Sequence, residues 1–132
     1  MSKDFSPSFF LELGISLKGK KLSSEEVNLR RFKSWFGIEW KVISVVWYLL
    51  RKSGWMESLK QHPNPVHLLW ALSFLKEYKK ETDHAADVRK EEKTFRKWAW
   101  FYAEGISTLV SRVVSAWSSV YYFCLSLLLI QF

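Results

Sequence analysis

Lys90, Lys93, Thr94, Arg96 and Lys97 are the side chains whose types and spacing best suit a chemical task. Lysine and arginine grip phosphates or read guanine, and threonine reaches a phosphate oxygen or a thymine methyl. Arg30, Arg31 and Lys33 form a second basic group upstream. The three histidines, His62, His67 and His84, offer a metal alternative, but they stand 5 and 17 residues apart. No cysteine or carboxylate completes a ligand spacing, so surface or capping histidines are expected and no metal or cofactor is assigned. Cys124 is the single cysteine, which excludes a disulfide framework. It lies in an apolar run with no charge to lower its pKa, and reads as an inert thiol. No Ser/His/Asp arrangement, glycine-rich phosphate loop or paired acids is present, so no enzyme is expected.

A DNA-facing cluster needs a rigid support with a buried reverse side, and the sequence supplies helices for it. Ser23 and Ser24 precede Glu25 and Glu26, a helix start whose acids suit the positive end of the helix dipole. That helix should run to about Phe36, with Gly37 closing it in a left-handed conformation. A second runs from about Glu39 to Lys52. Val42, Val45, Val46, Leu49 and Leu50 recur at the spacing of a buried stripe, widened by Ile43 and Trp47. Pro63 and Pro65 stiffen the connector. From Pro65 the next helix is apolar nearly all round through Leu75, as expected for the middle of a bundle. Residues 82–89 suffice for a short helix, with a break near Lys90.

The last amphipathic stretch runs from Glu91 to Ile106. Phe95, Trp98, Ala99, Tyr102 and Ile106 share one face, while Lys93, Arg96, Lys97, Trp100 and Glu104 share the other. Long helix, short helix, break and basic helix together outline a helix-turn-helix. Trp47, Trp70 and Trp98 are expected in the core, whereas Trp35, Trp55 and Trp100 are candidates to stack on a partner. The fold class is therefore all-α, a bundle of four to five helices with a helix-turn-helix. It would comprise a flexible lead-in over 1–22, a helical domain over 23–112 and a hydrophobic tail over 113–132.

Charge follows the same division. The formal net charge is +7. Residues 1–53 carry ten basic and five acidic side chains, residues 76–97 eight and six, and beyond 97 only Glu104 and Arg112 are charged. Such an excess attracts polyanions, namely nucleic acid or acidic membrane surfaces. The tail is 20 residues without a charge, ten of them Val, Leu, Ile or Phe. As a helix it would measure ~30 Å, enough to cross a bilayer. Four serines, Gln131 and Tyr121-Tyr122 oppose insertion, so a membrane anchor stands as an alternative to a final core helix.

Two blocks, Pro65-Val-His-Leu-Leu-Trp-Ala-Leu-Ser-Phe-Leu-Lys-Glu-Tyr78 and Glu92-Lys-Thr-Phe-Arg-Lys-Trp-Ala-Trp-Phe-Tyr-Ala-Glu-Gly-Ile106, resemble the helical N-terminal region of Harbinger-type DDE transposases. The approach, Trp35-Phe-Gly-Ile38 and the helix around Trp47, resembles it too, and the likeness covers roughly residues 32–106. It implies a helix-turn-helix that positions transposon-end DNA, with Lys93, Thr94, Arg96 and Lys97 on the matching helix. In the family an RNase-H-like domain follows, whose three acids hold two divalent metal ions. No acid lies beyond Glu104 here, so transposase activity is not carried over, and the tail reads as divergent. The expectation is a catalytically inactive, truncated DNA-binding fragment, nuclear in location. The alternatives are a tail-anchored membrane protein and a degenerate product without activity.

Overall fold

A computed structural model describes residues 4–59, 62–77, 83, 85–86 and 90–131, with side chains as far as 112. The protein is all-α. Five α-helices and one short 3-10 turn stand among the described residues: α1 (Pro7–Leu17), α2 (Glu25–Phe36), α3 (Trp40–Lys52), the turn Trp55–Ser58, α4 (Pro65–Glu77) and α5 (Glu92–Gln131).

The helix boundaries follow local chemistry. The Ser24 hydroxyl accepts from the Val27 amide at 3.4 Å and caps α2. Gly37 ends it at φ 81, a conformation a Cβ would oppose. The Asn64 side-chain oxygen accepts from the Val66 amide at 3.0 Å, while Pro65 fills the first position of α4. Before α5, the Lys90 amide donates to the Ala85 carbonyl at 2.9 Å, which turns the chain where the break is expected. Of the short helix expected over 82–89, Asp83, Ala85 and Ala86 are helical; the rest lies outside the described residues.

The core forms around α4, where Leu68, Leu69, Trp70, Ala71, Leu72, Ser73 and Phe74 are buried in succession. A helix with no polar face must be covered on all sides. α5 lies along it through Phe95, Trp98, Ala99 and Tyr102, and α2 packs on it as well. Trp47 of α3 stacks on Tyr102 at 6.2 Å and joins the two halves of the bundle.

The lead-in expected over 1–22 is corrected, because it contains α1. The Ser6 hydroxyl accepts from the Phe9 amide at 3.2 Å and Pro7 occupies the first turn. Phe10 is fully buried, and Phe5 meets the Trp47 ring at 5.5 Å. Two polar ties hold the segment to α3. The Ser44 hydroxyl donates to the Phe5 carbonyl at 2.7 Å, and Arg51 grips Asp4 through two bonds of 2.5 and 2.7 Å. The charge-assisted bond from Arg51 holds the Asp4 carboxyl below its usual range. The helical domain therefore begins near residue 4.

The buried face of α3 also differs from expectation. Trp40, Ile43, Trp47 and Leu50 are buried, whereas Val42, Val45 and Leu49 stay exposed at 41, 54 and 40%. Apolar residues surround most of this helix, so the valine spacing and the aromatic spacing compete. The larger rings gain more by burial and set its rotation.

Candidate nucleic-acid interface

α5 separates its two faces as its sequence pattern demands. Phe95, Trp98, Ala99 and Tyr102 are 1, 6, 1 and 0% exposed, and Ile106 is half-buried. Lys93, Arg96, Lys97, Trp100 and Glu104 are all exposed, as is Lys90 just before the helix. Thr94 is half-buried between the faces. Along the axis Lys93 and Lys97 are ~6 Å apart, and Trp100 lies ~4.5 Å further on.

Each cation has a distinct local setting. The Arg96 guanidinium donates to Glu92 one turn earlier at 2.7 Å. Both groups are largely in solvent, where such pairs contribute little and a phosphate can exchange for the carboxylate. The Lys97 ammonium sits 4.6 Å from the centre of the Trp98 ring, so its stem is laid against the aromatic layer. Lys90 and Lys93 project beside the N-terminal end of α5, whose dipole adds to their field.

Behind this face lies a histidine that sequence reasoning set aside. The His67 ring of α4 stacks on Trp98 at 4.4 Å with an interplanar angle of 11°, and meets Trp70 at 4.6 Å. Burial, then the charges of Lys90 and Lys97, lower its pKa to about 4. It is therefore neutral at physiological pH, and its Nδ1 is buried without a hydrogen-bond partner among the described residues. His67 is an aromatic packing residue rather than a surface or capping one. His62 is exposed, and His84 lies outside the described residues. No cluster of three metal-ligating side chains occurs among the described residues.

The basic group of α2 is divided in its settings. Arg30 and Lys33 are exposed, but Arg31 is half-buried and its guanidinium donates to the Lys21 carbonyl at 3.2 Å. Arg31 thus secures the α1–α2 connection, as does buried Asn28, which bonds both polar backbone groups of Ser23 at 3.1 and 3.0 Å. No described contact joins these residues to the cations of α5.

Of the uncertain tryptophans, Trp35 and Trp55 are half-buried. Trp55 donates its indole N–H to the Phe101 carbonyl at 3.1 Å, tying the 3-10 turn to α5. Trp100 alone of the three is exposed, at 45%, and its ring meets Phe74 at 5.4 Å.

Among the described residues no helix is long and apolar enough to cross a membrane. The side chains of 113–132, on which an anchor would depend, lie outside the described residues. No family model matches the chain, and no curated protein or solved structure matches it either.

Proposed function

We propose that this chain binds DNA through a helical region of transposase type. The contact surface is the outward face of α5: Lys90, Lys93, Arg96 and Lys97, with Thr94 at its edge. The observation that carries this reading is the separation of charge on α5. Four cations stand in solvent while Phe95, Trp98 and Tyr102 behind them are sealed in the core. A rigid rod needs no further backbone ordering when its lysines meet a phosphate, and the positive end of the helix adds attraction. The helix-turn-helix outline over 65–106 and the resemblance of its two blocks to Harbinger-type transposases support the same role. A nuclear location accompanies it.

Binding of the full chain to a fluorescent oligonucleotide, followed by anisotropy across a salt series, tests the proposal. Four phosphate contacts to a duplex give a slope of log K against log salt of about −3.6. Replacing Arg96 and Lys97 together by alanine should weaken binding about tenfold and make the slope shallower by about two. Absence of binding at low salt, or a double variant that binds as the parent does, refutes the reading.

A further inference from the structure

Val42, Val45, Tyr48 and Leu49 of α3 are all exposed, Val45 the most at 54%. At ~100° per residue, Val42, Val45 and Leu49 fall within about 60° of one another. Trp40, Ile43, Trp47 and Leu50, the buried residues of α3, occupy the opposite side of the helix. The stripe is therefore the crest of one helix and not a cleft between two. Apolar residues grouped in this way mark a contact surface, unlike the same residues scattered singly.

Charge selects the partner. Lys41 and Lys52 are exposed and stand at the two ends of the stripe, on its Tyr48 side. The Lys52 ammonium lies 5.7 Å from the centre of the Tyr48 ring. α3 itself has no acidic residue, and half-buried Glu39 before it falls on the other flank. Arg51 falls outside the stripe, where Asp4 engages it. Two copies set crest to crest would bring lysine against lysine, so a second copy is a poor occupant. A rigid protein would touch one convex helix along a narrow line, whereas the headgroup–acyl boundary of a bilayer deforms around it. Apolar residues between lysines, with a tyrosine at the edge, make the composition of an interfacial helix. The lysine stems lie along the apolar surface while their ammonium groups reach the headgroups.

We propose that α3 docks this protein on an anionic lipid surface. Val42, Val45 and Leu49 enter the headgroup–acyl boundary, Tyr48 lies at its edge, and Lys41 and Lys52 meet lipid phosphates. The site lies on a different helix from the DNA contact and does not rest on that reading. It also differs from an anchor through residues 113–132, because α3 lies on the bilayer and does not cross it.

The test sediments the full chain with vesicles of phosphatidylcholine, either alone or with about one third phosphatidylserine. Binding should require phosphatidylserine. Val45→Ser with Leu49→Ser should weaken it about tenfold, and so should Lys41→Gln with Lys52→Gln. A direct report comes from position 45. Val45→Cys in a Cys124→Ser background, labelled with a polarity-sensitive dye, should shift its emission to the blue on the anionic vesicles. That shift separates α3 from the cations of α5 and from the tail, either of which can hold a vesicle without it. Absence of binding, equal binding to neutral vesicles, double variants that bind as the parent does, or no dye shift overturns the proposal. So does a lipid-free dimer in sedimentation velocity that Val45→Ser with Leu49→Ser abolishes, which would give the crest to a second copy.

Discussion

His67 shows what a single side chain contributes once its surroundings are known. Its neutral ring lies flat on Trp98, and both burial and two lysines oppose its protonation. With a folded pKa of about 4 and an ordinary value near ~6.5, the unfolded chain binds the extra proton in that window. Stability is therefore full above about pH 6.5 and declines as pH falls toward 4, by about 1–2 kcal/mol once solvent screening of the half-exposed ring is allowed for. His67→Phe keeps an aromatic ring on Trp98 and should flatten this slope, as read from urea midpoints at about pH 7 and about pH 4.5. An unaltered slope would contradict the assignment. Tyr102 gives a second prediction at this scale. It is fully buried, its hydroxyl has no hydrogen-bond partner among the described residues, and burial holds its pKa far above the ordinary value. Tyr102→Phe removes the unsatisfied hydroxyl, keeps the stack on Trp47 and should stabilise the fold by about 1 kcal/mol in urea unfolding. The lysines of α5 and the exposure of Trp100 were legible in the sequence because helical periodicity alone sorts them outward. The role of His67 was not, because it depends on Trp98, a residue distant in the chain.

The elements meet where side chains are smallest. Gly105 of α5 lets the helix approach the 3-10 turn. A Cβ there would stand 2.7 Å from Trp55 Nε1 and 2.9 Å from Leu50 Cδ2. Trp55 cannot easily retreat, since its N–H is committed to the Phe101 carbonyl. Gly105→Ala should therefore cost about 1–3 kcal/mol by overpacking, despite alanine's better helix propensity; a thermal midpoint at or above the parent's would exclude that tight contact. Gly14 plays the same part where α1 rests on the rings of Phe32 and Phe36. Neither close approach is visible in a linear pattern, which records which residues are apolar but not how near two rods come. The same limit explains the two departures from expectation among the elements. α1 is announced by Ser6-Pro7, yet nearby glycines and lysines made the segment resemble a loose lead-in. α3 offered two apolar stripes, and the aromatic contacts with α1, α2 and α5 choose between them. The α2 boundaries and the central position of α4 were legible, because a capping serine, a terminal glycine and an unbroken apolar run each have one physical reading.

At the scale of the whole molecule, charge and apolar mass are distributed unevenly along α5. This helix has 40 residues and a length of ~60 Å. Its first turns carry the cations and pack on α4; beyond Arg112 the sequence has no charge. The described core residues of α5 reach Leu109, and Val110, Ser111 and Arg112 after it are exposed, so the helix already leaves the bundle over 110–112. A chain ending at residue 112 is expected to keep the parent's thermal midpoint within about 3 °C, which corresponds to less than ~1 kcal/mol for a domain of this size. It should also bind the same oligonucleotide with the same salt slope, because every cation assigned to the interface lies between residues 90 and 97. Removing the run should raise solubility, since it takes away ten Val, Leu, Ile and Phe residues and no charge. Sedimentation velocity of the two chains, paired with the anisotropy series, measures these effects together. A truncated chain that unfolds would show that residues 113–132 belong to the core, and one that folds but binds with a shallower slope would move part of the DNA contact onto the tail.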